Sequence, residues 1–201
     1  TNSLEYSAAT EDNILGDAAN WNGFILGDVT NAVDFEGTIA IRGNLSANGL
    51  TVNSVANNVY HENTDDITLL VGGDININGS GSVWGSTATS NETVTNYQLS
   101  NVTESEQTTQ GKYLVVDSTQ YFADAEKTLK DANKAIGSKE ANANYTNNGY
   151  GSYNFEGNSS EKELVYTVTE NDFYNYNMNF NIDDDQTVVV NLVSDEDIKE
   201  L

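Results

Sequence analysis

Residues Gly23 to Asn53 read GFILGDVTNAVDFEGTIAIRGNLSANGLTVN, with short apolar runs at Phe24 to Leu26, Ile39 to Ile41 and Leu50 to Val52. Gly and Asn cut these runs at brief intervals, and both residues accept the positive φ of a sharp corner. No run exceeds about six residues, which is too short for an amphipathic helix and too closely punctuated for the hairpins of an ordinary sandwich. A chain that turns this often is expected to wind a β-solenoid, each coil burying its inward side chains against the coils above and below.

Outward from this stretch the pattern continues. In Ile67 to Ile77 the alternation sends Ile75 and Ile77 inward and Asp74, Asn76 and Asn78 outward. Gly79 to Gly85 reads as a loop or corner, and a Thr/Ser/Asn tract follows with weak alternation at Val94, Tyr97, Leu99 and Val102. Thr1 to Asn20 is an acidic lead before Trp21, expected to hold a short helix or a cap over the first open coil. Val52 to Asp66 reads as a loop containing His61, the single histidine.

Tyr113 to Val116 is a strand candidate, and Thr119 to Ile136 is the one convincing helix. Phe122, Ala125, Leu129, Ala132 and Ile136 share a face; Asp117 with Gln120 forms a candidate capping pair, and Gly137 supplies the stop. A helix with one apolar stripe needs a surface, so it is expected to lie lengthwise along the coils. Lys139 to Ser160 reads as a long exposed loop or irregular coil. Strands return at Leu164 to Thr169, Phe173 to Phe180 and Thr187 to Val193, with Asp183 to Asp185 as a charged turn. The expectation is one domain over 1–201, mainly β, with a helical insertion at 119–137.

Several of these pieces also carry a resemblance. Leu15-Gly16-Asp17-Ala18, Phe24 to Val29, Phe35 to Ala40 and Gly43-Asn44-Leu45 resemble the opening of the choice-of-anchor A domain, an adhesive domain of bacterial surface proteins. Leu69 to Ile75 is similar to that family's second glycine-paired strand, Asn78 to Gly85 to its following turn, and Tyr121 to Ala125 to its inserted helix. Phe173 to Val193 is similar to its closing strands. Thr38 departs from the pattern, standing where the family tends to have a basic residue. The resemblance implies an adhesive module of a bacterial surface protein that binds a glycan or an extracellular-matrix protein of a host or neighbouring cell. It also implies a solenoid of the discontinuous ice-binding-protein type, with one long helix packed along its side.

Composition narrows the partners. A formal net charge of −23 repels polyanions and argues against nucleic acid and anionic membrane surfaces. There is no cysteine, so neither a disulfide framework nor a Cys-based metal site is available. No stretch approaches the ~20 apolar residues of a membrane helix. Without an export signal or wall anchor in view, and with Thr1 no initiator, the expectation is a fragment of a larger wall-anchored chain at the cell surface.

With one His and no Cys there is little from which to build a catalytic triad, and carboxylate pairs in so acidic a chain say little about acid/base work, so no enzyme is expected. No cofactor is expected either, with calcium the one ion considered. Asp74, Asn76 and Asn78 begin like a calcium loop, but the position where its closing Glu belongs is Gly85; Asp183 to Asp185 is the other acidic candidate.

Eleven tyrosines in a hydrophilic chain are the more informative set. Tyr145, Tyr150, Tyr153, Tyr174 and Tyr176 lie among Asn and Gly and make up the candidate ligand-binding surface. The same residues could instead stand in for Leu on half-buried strands. Two alternatives accompany the adhesive reading. One is a stalk or spacer module. The other is an ice-binding protein, for which Thr87-Ala88-Thr89, Thr93-Val94-Thr95 and Thr167-Val168-Thr169 are present but not at one coil period.

Overall fold

The computed structural model describes residues 2–56, 66–90, 99–101, 113–157 and 159–197. The fold is mainly β with one long helix, and the chain forms two compact units, Thr1–Lys130 and Asp131–Leu201. No helix among the described residues is long and apolar enough to cross a membrane. His61, Val94, Tyr97 and Val102 lie outside the described residues.

Unit 1 holds β1 (Asn2–Ser3), β2 (Gly23–Ile25), β3 (Val29–Thr30), β4 (Asp34–Phe35), β5 (Ile39–Ile41) and β6 (Leu45–Val52). It continues with β7 (Ile67–Val71), β8 (Ile75–Val83), β9 (Ser86–Thr89), β10 (Leu99–Asn101) and β11 (Tyr113–Asp117). The strands pair in parallel as two sheets, β1-β11-β9-β7-β5-β2 and β10-β8-β6-β3, with β4 also paired to β6. Equivalent residues stack in register: Ile39 and Ile41 lie beside Leu69 and Val71, and Leu45 and Ala47 beside Ile75 and Ile77. These columns, with Leu50, Val52 and Val83, form one aliphatic core. Each such Leu or Ile contributes ~1.5–3 kcal/mol by leaving water.

The chain passes between the sheets at a repeated corner, Gly27-Asp28, Gly43-Asn44 and Gly73-Asp74. At the first two corners the side-chain oxygen accepts the backbone N–H of the equivalent residue one level on: Asp28 Oδ1 from Asn44 (2.7 Å) and Asn44 Oδ1 from Asp74 (2.8 Å). The levels stack so closely that a Cβ on Gly43 would meet Asp28 Oδ1 at 2.1 Å, and one on Gly73 would meet Asn44 Oδ1 at 2.3 Å. Asp74 thus stands in a structural ladder, while on β8 the exposed Asn76 and Asn78 alternate with the buried Ile75 and Ile77. The stretch Gly79 to Val83, expected as loop, is the second half of β8. A bulge resets its register, and Leu50, Thr51 and Val52 pair with Gly81, Ser82 and Val83.

Helix α1 (Thr119–Gly137) runs as its spacing predicts. Its unit-1 part covers the other face of the larger sheet, where Tyr121 and Phe122 pack on Ala40, Leu70 and Ala88. The Asp117 carboxylate accepts the Thr119 N–H (3.0 Å), but the Gln120 amide donates to Asp124 Oδ1 (2.8 Å), so the expected capping pair is half formed. The acidic lead contains a short 3-10 helix at Gly16–Asn20. Asp17 within it accepts from the Tyr121 hydroxyl, which in turn accepts from Trp21 Nε1 (3.0 Å). Burial, followed by the bond to Asp17, holds the Tyr121 hydroxyl well above its ordinary pKa. β1 extends the sheet beyond β11, at the edge opposite β2.

Unit 2 holds β12 (Tyr145–Asn147), β13 (Ser152–Glu156), β14 (Glu163–Thr169), α2 (Glu170–Asn175), β15 (Asn177–Asn181) and β16 (Thr187–Val193). β13 pairs with β15 and β14 with β16, both in parallel, while β12 and β13 form an antiparallel hairpin. This hairpin occupies the stretch expected as irregular loop, because Phe155 in it is wholly buried against Leu164, Tyr166 and Val168. The expected strand over Phe173 to Phe180 is divided. Thr169 Oγ1 caps the Asp172 N–H (3.3 Å) and starts α2, and strand begins only at Asn177. Asp183 to Asp185 lies between β15 and β16, with Asp185 paired to Lys162 and the Asp183 N–H donating to Gln186 Oε1 (2.9 Å).

Candidate functional site

Tyr145 and Tyr153 are diagonal neighbours on the β12–β13 hairpin, where Tyr145 pairs with Phe155 and Asn147 with Tyr153, and Gly149 and Gly151 adopt φ of +79° and +79° at its tip. Their rings meet edge to face with centroids 5.0 Å apart, and Tyr176 joins on the far side of Tyr153 at 4.7 Å. Below them Phe155 stacks on Tyr145 at 4.8 Å, so the aromatic surface is continuous with the core of unit 2.

Asp172 fixes the two hydroxyls. Its Oδ2 accepts from Tyr145 (2.6 Å) and its Oδ1 from Tyr153 (2.9 Å). These two bonds, the Tyr145 bond first, hold the Asp172 carboxyl below its usual range. Burial and then the same bonds raise both phenols, so at neutral pH the cluster contains two neutral donors around one anion. Rings held this way present apolar faces and directed oxygens at little entropic cost to a ligand, which suits the sugar faces or peptide side chains met in recognition.

Three of the five expected tyrosines, Tyr145, Tyr153 and Tyr176, are therefore brought together. Tyr150 stands at the hairpin tip, 93% exposed. Tyr174 lies on α2 against Phe173, with ring centroids 5.6 Å apart. Asp172 escaped the sequence reading, although the spacing Thr169-Glu170-Asn171-Asp172 carries a capping signal. Among the described residues of unit 1, a concave surface of about 340 Å³ lies over Asn22, Asp34, Phe35 and Glu36, and another of about 150 Å³ lies beside Arg42 and Ser118. Among the described residues no group of three or more His, Cys, Asp or Glu is placed to hold a metal ion.

The model of a protein family described as "Putative Ice-binding-like adhesive domain" matches residues 14–199. The chain belongs to this family. The match runs through both units of this ice-binding-like adhesive domain, from the 3-10 helix of the lead to the end of β16. No curated protein and no solved structure matches the chain.

Proposed function

We propose that this adhesive domain recognises a glycan or matrix protein of a host or neighbouring cell without covalent chemistry, through the tyrosine surface of unit 2. The reading rests on one observation: Tyr145 and Tyr153 are locked around Asp172 with Tyr176 packed on Tyr153, and Tyr150 stands exposed at the hairpin tip. The finer likeness rests on sequence motifs alone, which resemble those of the choice-of-anchor A domain. The stacked corners and in-register columns of unit 1 support a β-solenoid, a stiff scaffold for a surface module in a longer wall-anchored protein on the bacterial surface. The net charge of −23 repels polyanions, which sets nucleic acid and anionic membrane surfaces aside, and the role is binding rather than catalysis.

The test is an array of glycans and extracellular-matrix proteins probed with the native chain and with Tyr150→Ala and Tyr174→Ala. Reproducible binding that weakens in the variants supports the reading. Silence from a folded chain favours a spacer. A second reading has its own support: Thr30, Ser46 and Asn76 stack in one outward row, and Thr51 and Ser82 in another that begins at Asp34, giving a mostly hydroxyl- and amide-bearing strip of the kind that ordered water could match. Thermal hysteresis of the native chain would favour ice; its absence removes that reading.

A further inference from the structure

We propose that the cavity beside Arg42 is a subsite for the carboxylate of an acidic sugar, a uronic or sialic acid residue. The choice of a sugar rests on the adhesive reading above; the carboxylate rests on the cavity itself. The cavity has a volume of about 150 Å³ and is lined by Arg42, Gly72, Ser118, Thr119 and Phe122, all in unit 1.

Ser118 is the first observation. It is 1% exposed, it lines the cavity, and its hydroxyl has no hydrogen-bond partner among the described residues. Buried hydroxyls in folded proteins are nearly always paired, so a donor left over at the wall of a cavity calls for an acceptor inside it. Arg42, the chain's single arginine, is the second. Its Nε donates to the Leu26 carbonyl (2.7 Å) and its Nη1 to Glu126 Oε2 (2.9 Å), which fixes the plane of the guanidinium and leaves Nη2 uncommitted among the described residues. A charged Nη2 group held in place by its two anchored neighbours can donate to a carboxylate. The third is that the cavity lies where α1 begins, at Ser118 and Thr119, so the positive end of a 19-residue helix lies at the site.

The surrounding charges select the kind of anion. Glu126 is shared between Arg42 and Lys130, each at 2.9 Å, and the Asp117 carboxylate occupies the Thr119 N–H. Two cations and two carboxylates nearly cancel, which disfavours a doubly charged phosphate and leaves the directed donors to hold a single negative charge. The Phe122 ring gives the cavity an apolar wall for the carbons next to the carboxylate.

The test is calorimetry and ligand-observed NMR with glucuronic acid and N-acetylneuraminic acid, set against glucose and the methyl ester of glucuronic acid. The variants are Arg42→Gln and Ser118→Ala, each checked for native circular dichroism. The acids should bind in the millimolar range and the neutral sugars not at all, and each variant should weaken the acids by roughly tenfold, as loss of a hydrogen bond to a charged group does. Equal binding of acid and ester, full affinity in Arg42→Gln, or no acid binding at tens of millimolar overturns the subsite. Glu126→Gln serves as a control, because it loosens the guanidinium without removing it and should weaken binding less than Arg42→Gln. Array binding by the native chain, with neither acid bound at tens of millimolar, would sink the subsite and spare the adhesive reading. Uronate binding by a chain silent on the array would do the reverse.

Discussion

The two units use parallel strands in register but fill the space between them with different side chains. Unit 1 stacks Ile, Leu and Val in columns that end inside the core, and its outward rows are mostly Thr, Ser and Asn. Unit 2 builds its core from rings: Phe155 contacts Tyr145, Tyr166 and Phe180 at centroid distances of 4.8, 4.8 and 4.7 Å. Aliphatic side chains cannot reach the surface and offer anything polar there. Tyrosines can, so in unit 2 the packing that holds the fold also forms the surface presented to a partner.

The sharpest way to break this comparison is Phe155→Ala. Removing a wholly buried ring that packs against three others should cost about 3–5 kcal/mol. Both tryptophans, Trp21 and Trp84, lie in unit 1, so the denaturation midpoint followed by their fluorescence should move less than the midpoint followed by tyrosine near-UV dichroism. Equal movement of the two would mean the cores are not separate.

Next in size is the corner ladder. Gly73→Ala places a Cβ 2.3 Å from Asn44 Oδ1, an overpacking expected to cost about 1–3 kcal/mol in chemical denaturation. Gly27 holds the same corner position one level before Gly43, yet nothing lies within 4 Å of its Cβ direction. Gly27→Ala should therefore stay within about 0.5 kcal/mol of the native chain. If the two substitutions cost the same, the close stacking of levels is not what requires glycine.

A smaller effect concerns pH. The Asp172 carboxyl is depressed by its two tyrosine bonds, so its contribution is fully present above the ordinary carboxylate value, about 3.9. It is lost as pH falls through the depressed folded value. Tyr145 and Tyr153 are raised, so their contribution is complete below the ordinary phenol value of about 10 and is lost as pH rises through their folded values. Melting temperature of unit 2 should fall at both ends, and Asp172→Asn should flatten the acid limb. The least costly change to the fold is Tyr150→Ala: a side chain 93% exposed should leave the melting temperature unchanged while array binding drops.

Much of unit 1 was legible because its corners are written in residue types. Gly-Asp and Gly-Asn recur where levels approach too closely for a Cβ, and the helix announces itself by spacing, with Phe122, Ala125 and Ala132 buried as expected. The second half of β8 was hidden because Gly-Ser-Gly-Ser looks like loop; its strand state comes from backbone pairing with Leu50 to Val52, not from its own side chains. The same holds for the β12–β13 hairpin, where Asn and Gly concealed a buried Phe155 whose partners lie on β14 and β15. The five tyrosines were visible as a set, but Asp172, which decides how two of them are held, depended on α2 bending the chain where alternation suggested extended strand.

The placement of β1 has a consequence for the order of assembly. The first strand of the chain joins the sheet beyond β11, so its hydrogen-bonding partner Asp117 must be made before Asn2 and Ser3 can dock. A polypeptide emerging from a ribosome or an export channel would keep that opening segment waiting while the later rungs are laid down, and unit 1 would close only when the two distant pieces meet. Maturation should then be slowed by the long loop that must be closed, and an added peptide carrying the opening segment should complement a chain that lacks it.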